Sequence, residues 1–353
     1  MRVLITGGAG FVGSSLAVLF KNEFPKADIV VLDNLKRRGS ELNLPKFKKL
    51  NIDFIHGDIR ERSDLLTIPG NFDLMVEASA EPSVHAGTDG TVDYLLNTNL
   101  VGTLNCLEYA KQRVDRMVFL STSRVYSLAP LQKIILEEDE TRFQLSQQNN
   151  IIGLTDCGIT EDFSTRTARS LYGASKLASE LVVQEYADTF NMRVVINRCG
   201  VIAGPGQFGK VDQGVFTLWV ANHFFQKPLA YFGYGGRGLQ VRDLLHPEDL
   251  YRLLLKQVER VQECSGEVFN VGGGMDVSTS LAELTARCRQ ITGHEVPIER
   301  KDKTSSVDIP FYVTDNSRVS DRFEWQPQKT IGSIVEDIYS WIEKNKAELK
   351  LIF

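Results

Sequence analysis

The stretch MRVLITGGAGFVGSSLAVLF (residues 1–20) decides the fold. Its apolar run, Val3–Ile5, predicts a short buried strand that leads directly into TGGAGFVG (residues 6–13), where a helical pattern begins. Three glycines at this spacing permit a tight turn, close approach of the backbone to a pyrophosphate and packing of the helix on the strand. The pyrophosphate then sits at the helix N-terminus, where free N–H groups and the helix dipole favour an anion. The residues concerned are Gly7, Gly10, Phe11, Val12 and Gly13.

An acidic residue follows at the distance that this loop requires. The second apolar run, residues 29–32, ends at Asp33, twenty residues after Gly13. A carboxylate there accepts hydrogen bonds from both ribose hydroxyls and repels a 2′-phosphate, so the motif predicts NAD rather than NADP. Asp58 and Ile59 end the third apolar run and are placed to meet the adenine. Asp58 is nearly as well explained as a helix N-cap.

The first half of the chain alternates apolar runs with amphipathic segments, which predicts an α/β fold. Strands are expected at residues 3–5, 29–32, 54–55, 74–76 and 117–120. Such strands separated by helices predict a parallel sheet covered on both faces, in a doubly wound, Rossmann-type arrangement. We therefore expect an NAD-binding domain over residues 1–197, with a return at 238–262. A smaller, mixed, mainly substrate-binding domain is expected over 198–353, and 128–170 is expected to be a polar insertion near the site.

Composition excludes several classes of protein. The chain has 353 residues, 42% of them hydrophobic, and a net charge of −5, which argues against a general nucleic-acid binder. The five cysteines have no C-x-x-C pair, so we expect free thiols in a reducing compartment and no metal site. No stretch approaches the ~18 uninterrupted apolar residues of a membrane span. The sequence thus predicts a soluble, cytoplasmic protein without a membrane partner.

A tyrosine and a lysine form the candidate reactive pair. Tyr172 and Lys176 are four residues apart in YGASK (residues 172–176), so on a helix they share a face one turn apart. A phenol has a pKa of about 10, too high for a base at neutral pH, and a nearby ammonium lowers it. The spacing alone is common by chance and fits an ordinary helix surface as well. It becomes informative because Thr122 follows a predicted strand, where its hydroxyl is placed to orient a substrate oxygen.

Together these motifs resemble the extended short-chain dehydrogenase/reductase family, in its nucleotide-sugar epimerase branch, over essentially the whole chain. Within that branch the sequence is most similar to the CDP-paratose 2-epimerases (CDP-tyvelose 2-epimerases). The pieces that carry this narrower resemblance are DNL (33–35), FIHGDIR (54–60), GTLN (102–105), DQG (212–214) and QVRDLLH (240–246).

The resemblance implies a role for each matching position. Tyr172 corresponds to the acid/base, Lys176 to its electrostatic partner and ligand of the nicotinamide ribose, and Thr122 to the hydroxyl that orients the reacting sugar oxygen. The implied NAD site is Gly7, Gly10, Phe11, Val12, Gly13, Asp33, Asn34, Asp58, Ile59, Ala78, Ala80, Asn99, Tyr172 and Lys176. The implied substrate site is Ser123, Arg124, Arg198, Gln213 and Arg242, with Arg242 gripping the diphosphate of a nucleotide sugar. A homodimer is implied as well.

Several positions depart from the family pattern, among them Glu77 and Ser305. Glu77 stands where the family commonly has a histidine, and it is either a partner of the reactive residues or simply an acid at the end of a strand. Ser305 stands where many members have a second phosphate-binding arginine.

The same scaffold supports several reactions that begin by removing hydride from a sugar carbon. Dehydratases of the branch usually place Asp-Glu directly after the threonine, whereas this chain has Ser123-Arg124. The resemblance therefore favours an NAD-dependent redox epimerase that inverts carbon 2 of a CDP-hexose. The alternatives are a 4-epimerase or a decarboxylase of another nucleotide sugar, and a non-enzymatic relative that acts as a sensor or binds RNA.

Overall fold

The structure is a computed structural model that describes residues 1–88, 90–209 and 213–353. The chain divides into two compact units. The first unit spans Met1–Val125, Leu171–Arg198 and Leu250–Phe269. The second unit spans Tyr126–Ser170, Cys199–Asp249 and Asn270–Phe353.

This division differs from the sequence prediction at two places. The prediction keeps residues 126–170 with the first domain and puts the return at 238–262, whereas the structure puts the return at Leu250–Phe269. The segment 126–170 belongs to the second unit because its backbone bonds there. Ile159 N–H donates to the Val313 carbonyl at 2.8 Å, and Asp315 N–H donates to the Ile159 carbonyl at 3.0 Å.

The strands alternate with helices through the first half of the chain and become short afterwards. The strands are β1 (Arg2–Thr6), β2 (Asp28–Asp33), β3 (Asp53–His56), β4 (Leu74–Glu77), β5 (Arg116–Thr122), β6 (Leu136–Glu138), β7 (Phe143–Leu145), β8 (Leu154–Thr155), β9 (Gly158–Ile159), β10 (Arg193–Cys199), β11 (Val201–Ile202), β12 (Leu229–Phe232), β13 (Val241–Leu245), β14 (Val268–Val271), β15 (Ser278–Ser280), β16 (Ile298–Lys301) and β17 (Phe311–Tyr312).

The helices cover the sheet of the first unit and form much of the core of the second unit. They are α1 (Phe11–Glu23), α2 (Leu44–Leu50), α3 (Arg62–Leu66), α4 (Asp93–Leu96), α5 (Gly102–Arg113), α6 (Leu128–Gln132), α7 (Leu171–Phe190), α8 (Val215–Phe224), α9 (Pro247–Arg260), α10 (Leu281–Thr292), α11 (Ser317–Phe323), α12 (Ile331–Lys344) and α13 (Lys346–Leu349). A π-helical turn, Asn97–Val101, joins α4 to α5.

The central sheet has the strand order β14-β10-β5-β4-β1-β2-β3. The pairs β1–β2, β2–β3, β1–β4 and β4–β5 are parallel, which confirms the predicted doubly wound, Rossmann-type fold. From β1 the chain runs outward through β2 and β3, then returns to place β4 on the other side of β1. In open α/β sheets, ligands bind at the carboxyl ends of the strands where the order reverses.

The cores follow from the apolar strands and one face of each helix. In the first unit, Leu4, Met75 and Phe119 of the sheet pack with Leu107 of α5 and Val183 of α7. Residues of α8, α10 and α12 form the core of the second unit, among them Trp219, Leu284, Ile334 and Ile338. The second unit also contains a small sheet of β11, β13, β15 and β17. Among the described residues, no helix combines the length and apolarity that crossing a membrane requires.

Candidate active site

The glycine loop joins β1 to α1 with a geometry that side chains would block. Gly7 has φ +65°, and a Cβ there would lie 2.7 Å from the Ala78 carbonyl oxygen. A Cβ on Gly13 would lie 2.3 Å from the Gly7 carbonyl oxygen. Both positions therefore require glycine, because the loop passes close to the chain after β4 and to the first turn of α1.

The start of α1 fits the pyrophosphate of NAD. Gly10 caps the helix with no side-chain hydrogen bond. The first turn of a helix has N–H groups without intrahelical partners, and in α1 they belong to Phe11, Val12 and Gly13. These donors, together with the helix dipole, suit a dianionic pyrophosphate.

Asp33 ends β2 with its carboxylate held by backbone donors. Oδ2 accepts from Ala9 N–H at 3.0 Å, and Oδ1 accepts from Leu35 N–H at 2.7 Å. Burial raises the pKa of Asp33, and the bonds from Leu35 and Ala9 oppose that rise. These bonds fix the carboxylate beside the glycine loop, where the sequence places the ribose.

Asp58 is tied to the same corner of the first unit. Asn34 donates to its Oδ2 at 2.8 Å, and Arg60 grips the carboxylate with contacts of 2.6 to 3.0 Å. Burial alone would raise the pKa of Asp58, but the hydrogen bonds from Arg60 and Asn34 lower it to about 2. Ile59 is buried, and its carbonyl accepts from Asn105 at 2.9 Å. Asp58 is thus a permanently ionised group, set between donors.

The loop after β4 contacts the π-helical turn through Asn99. Its amide accepts from Glu81 N–H at 2.8 Å and donates to the Glu81 carbonyl at 3.1 Å and to Ser175 Oγ at 2.9 Å. Asn99 is fully buried. It therefore joins α7 to the loop that contains Ala78 and Ala80, both of which are partly exposed.

The reactive residues lie in the first unit at the carboxyl end of β5 and the beginning of α7. Thr122 is the last residue of β5 and is buried, with Arg124 N–H donating to its Oγ1 at 3.2 Å. Tyr172 is the second residue of α7, and Lys176 follows one turn later with only 1% of its surface exposed. The Lys176 ammonium lies 3.9 Å from the centroid of the Phe119 ring, a cation–π contact. A buried ammonium on the same helix face as a phenol is suited to stabilise a phenolate.

A second charged cluster supports this region. Arg198 donates through Nε and Nη2 to the Glu180 carboxylate at 2.8 to 3.1 Å. Ser121 Oγ donates to the same carboxylate at 2.5 Å. This cluster connects β5, α7 and β10, and its member Ser121 directly precedes Thr122 on β5. The structure thus places Arg198, a sequence-predicted substrate residue, in an ion pair with its own unit.

Glu77 lies in the middle of the sheet. It pairs in register with Thr6 of β1 and with Phe119 of β5, and its side chain is fully buried. Thr103 of α5 donates to its Oε1 at 2.6 Å. Burial raises the pKa of Glu77 to about 7, although the nearby Lys176 charge and the Thr103 bond act to lower it.

The remaining predicted substrate residues divide between the units. Ser123 and Arg124 follow β5 in the first unit, whereas Gln213 and Arg242 belong to the second unit. Arg242 donates to Asp308 Oδ1 at 3.2 Å and to the Ile309 carbonyl at 2.7 Å. Gln213 is partly exposed, and the preceding Asp212 of the DQG piece lies outside the described residues.

Sequence reasoning missed the polar network behind the reactive pair. Its members are Thr103, Ser121, Ser175, Ser179 and Glu180, all buried. A signal was present for Glu180, which follows Lys176 by four residues and so lies on the same face of a helix whose buried side is otherwise mostly small or apolar. Ser121 lies on β5 next to Thr122, whereas for Thr103, Ser175 and Ser179 nothing in the local pattern separates them from ordinary helix residues.

The comparisons with known proteins identify the family of the chain. The sequence model of the NAD dependent epimerase/dehydratase family matches residues 3–272, and the chain belongs to that family. It is 30% identical to the CDP-paratose 2-epimerase of Salmonella typhi over 97% of this chain and 99% of that protein. It is 26% identical to the UDP-glucose 4-epimerase of Corynebacterium glutamicum over 97% of this chain and 95% of that protein.

A solved structure of a relative is similar to this chain over its whole length. A double mutant of dTDP-glucose 4,6-dehydratase from Streptomyces venezuelae, solved with NAD bound, aligns over 100% of both chains with a TM-score of 0.79 and 26% identity. The family membership confirms the predictions of an enzyme of the epimerase branch and of NAD as its cofactor. The relatives differ in reaction and in substrate, so the family alone leaves both open.

Proposed function

We propose that the enzyme inverts carbon 2 of a CDP-hexose of the CDP-paratose or CDP-tyvelose type, by transient oxidation to a keto-sugar and return of the hydride. The observation that carries the redox chemistry is the pair in α7, where a fully buried ammonium lies one helical turn from Tyr172. The choice of carbon 2 rests on the near full-length similarity to the Salmonella 2-epimerase.

The chain's own residues handle the proton. Tyr172 removes the proton from the reacting sugar hydroxyl, while Thr122 hydrogen-bonds the same oxygen and fixes its direction. Lys176 makes this possible because a neighbouring cation lowers the pKa of a phenol from about 10 by roughly 1–3 units. Bound NAD supplies the hydride acceptor and donor. When the ketone is reduced, Tyr172 returns the proton to the oxygen, so the proton balance closes within the site.

The substrate's diphosphate calls for cations. Arg242 is proposed to bind it, because a planar guanidinium suits a bidentate contact with phosphate. Asp308 shares that guanidinium at 3.2 Å, which keeps the side chain in one orientation before substrate arrives. Ser123, Arg124, Arg198 and Gln213 are proposed to contact the sugar or the nucleotide.

Two further features complete the proposal. All five cysteines are free thiols, which supports work in the reducing cytoplasm. Exposed apolar residues on α5 and α7, Leu104 and Leu181, are 40% and 58% exposed and support a homodimer through these helices.

Inversion at carbon 4 is the second candidate, because the chain is also similar to a UDP-glucose 4-epimerase. Dehydration is disfavoured by Ser123 and Arg124, since neither side chain is a carboxylic acid that would serve as the extra acid/base.

The test is an assay of purified enzyme with NAD on four substrates: CDP-tyvelose, CDP-paratose, UDP-glucose and UDP-galactose. We expect the two CDP-sugars to interconvert, with inversion at carbon 2 seen by NMR of the product sugar. The Tyr172→Phe variant serves as the matched control and should convert each substrate about 10²–10⁴-fold more slowly. Turnover of the UDP-sugars alone, with inversion at carbon 4, would overturn the choice of substrate and carbon.

A further inference from the structure

Glu77 is an acid that the proposed reaction does not use. Its carboxyl is 0% exposed, at the end of the central strand β4. Its Oε2 has no hydrogen-bond partner among the described residues. A buried carboxylate with an unsatisfied oxygen is costly, so its position in the sheet calls for a reason.

The neighbours of Glu77 connect it to the reactive lysine. Phe119 is the register partner of Glu77 on β5, and the Lys176 ammonium lies 3.9 Å from the centroid of the Phe119 ring. Register partners on parallel strands point to the same face of the sheet. The carboxyl of Glu77 and the ammonium of Lys176 therefore lie on one face of the sheet, and their charges interact.

The hydrogen-bond geometry shows how the carboxyl holds a proton. Thr103 Oγ1 lies 2.6 Å from Glu77 Oε1 and 2.8 Å from the Asn99 carbonyl oxygen. A hydroxyl has one proton, and a carbonyl only accepts. When Thr103 donates to Asn99, the contact with Glu77 requires a proton on the carboxyl. When Glu77 ionises, Thr103 turns to it, and the Asn99 carbonyl keeps a donor in Ser179 Oγ at 2.7 Å.

We propose that Glu77 is a positioning residue whose proton sets the electric field that Lys176 exerts on Tyr172. With Glu77 protonated, the buried ammonium acts undiminished on the phenol. With Glu77 ionised, the negative charge offsets part of that field, and Tyr172 becomes a weaker acid. The inference rests on the proposed roles of Tyr172 and Lys176.

Apart from Lys176, the groups named here around Glu77 carry no charge at neutral pH. The neighbours of Glu77 are its register partner Thr6 on β1 and its register partner Phe119 on β5. From α5, the Thr103 hydroxyl and the Cys106 thiol also lie near it. Burial raises the pKa of Cys106 well above its ordinary value, so the thiol stays neutral. From α7 it meets Lys176, the cation of this group. The pKa of Glu77, raised to about 7 by burial, agrees with a carboxyl that changes charge in the working range.

The experiment measures Tyr172 directly and needs no substrate. The near-ultraviolet absorbance of phenolate is followed against pH in the NAD-bound enzyme. Each protein is compared with the same protein that also carries Tyr172→Phe, and the difference between the two curves gives the titration of Tyr172. Glu77→Gln keeps the shape of the protonated carboxyl and can bond Thr103, but it never ionises. Cys106→Ala is the matched control, because it removes a buried neighbour of Glu77 without changing charge.

We expect the Tyr172 midpoint in Glu77→Gln to lie about one pH unit below that of the parent, since removing a nearby negative charge lowers the pKa of a phenol. The Cys106→Ala midpoint should match the parent. A Glu77→Gln midpoint equal to or above that of the parent, with the NAD content unchanged, would overturn the inference.

A second variant covers the case in which Glu77→Gln does not fold. Thr103→Val removes the donor that favours ionised Glu77, so Glu77 stays protonated to higher pH and the Tyr172 midpoint again moves down. An unmoved midpoint in this variant would contradict the inference. Failure of the sugar assay with a shifted midpoint would refute the proposed substrate and leave the role of Glu77 standing.

Discussion

Two buried carboxylates in the first unit, Glu180 and Glu77, each face a cation but are held differently. Both oxygens of Glu180 accept hydrogen bonds, from Arg198 and Ser121. Glu77 accepts one, from Thr103, and its second oxygen has no hydrogen-bond partner among the described residues. A pair with every acceptor satisfied offsets its desolvation and fixes geometry, whereas a half-satisfied carboxyl keeps its proton to higher pH.

The two acids therefore have different roles around helix α7. Glu180 locks α7 to β5 and β10 and thereby holds the carboxyl end of β5, where Thr122 lies. Glu77 leaves Lys176 able to act on Tyr172. The reactive pair thus has a rigid support on one side and a titratable neighbour on the other.

The largest effect is expected at Tyr172, the proposed acid/base on α7. Tyr172→Phe removes the proton acceptor and keeps the ring, so kcat should fall about 10²–10⁴-fold, the usual contribution of a general base. Steady-state rates and a thermal melt would measure this, and the melt should match the parent because the ring still packs. Near-normal turnover would show that another group is the base and would break the link between the two acids and catalysis.

Breaking the satisfied pair should cost stability. Glu180→Gln removes the carboxylate from a buried guanidinium, and loss of one partner of a buried ion pair costs about 3–5 kcal/mol. Urea unfolding followed by circular dichroism gives the free energy of unfolding. A loss below about 1 kcal/mol, typical of exposed pairs, would mean that this pair does not lock α7.

Replacing Glu77 should raise the free energy of unfolding relative to the parent as the pH rises, whereas replacing Glu180 should lower it. The folded pKa of Glu77 is about 7 and the ordinary value 4.5, so the folded state binds more protons between these values and the parent loses stability as pH rises. The Gln side chain does not ionise, so the Glu77→Gln variant does not lose stability in this way. The free energy of unfolding of Glu77→Gln relative to the parent should therefore rise by about 2 kcal/mol from pH 5 to pH 8. A pH-independent difference would remove the distinction between the two acids.

A third pair of charged residues lies in the second unit and is more exposed than the other two. Arg242 and Asp308 are 3.2 Å apart and less buried than Glu180 and Arg198. Arg242→Ala should raise KM for the sugar nucleotide roughly tenfold, since charge-assisted phosphate contacts are worth about 1.5–3 kcal/mol. Asp308→Asn is the control and should change KM much less than Arg242→Ala does, because the guanidinium remains and only its charged orienting partner is lost. An unchanged KM in Arg242→Ala would make this arginine a structural partner of Asp308.

The sequence predicts the frame of the first unit well, because its signals are local. Each predicted strand from Val3–Ile5 to residues 117–120 lies within a strand of the sheet. Apolar runs and helical periodicity are properties of neighbouring residues, so a single sequence contains them.

The features that depend on contacts between distant residues could not be predicted from the sequence. Residues 126–170 belong to the second unit through bonds such as that between Thr155 and Asp315, 160 positions apart. A π-helical turn at Asn97–Val101 separates α4 from α5, and there Asn99 bonds Glu81 and Ser175. The partners of Glu77 and Glu180 come from other strands and helices, so only the fold reveals that one acid is satisfied and the other is not.

The most direct test of the central claim, redox inversion of a sugar carbon, follows the hydrogen on that carbon. CDP-tyvelose deuterated at carbon 2 is converted in ordinary water, and unlabelled substrate is converted in deuterium oxide. Because the hydride leaves carbon 2 and returns to the same carbon, we predict that the label stays at the inverted carbon and that no solvent deuterium enters it. An enolising route would exchange that hydrogen with solvent, so solvent deuterium at the inverted carbon would contradict the redox mechanism.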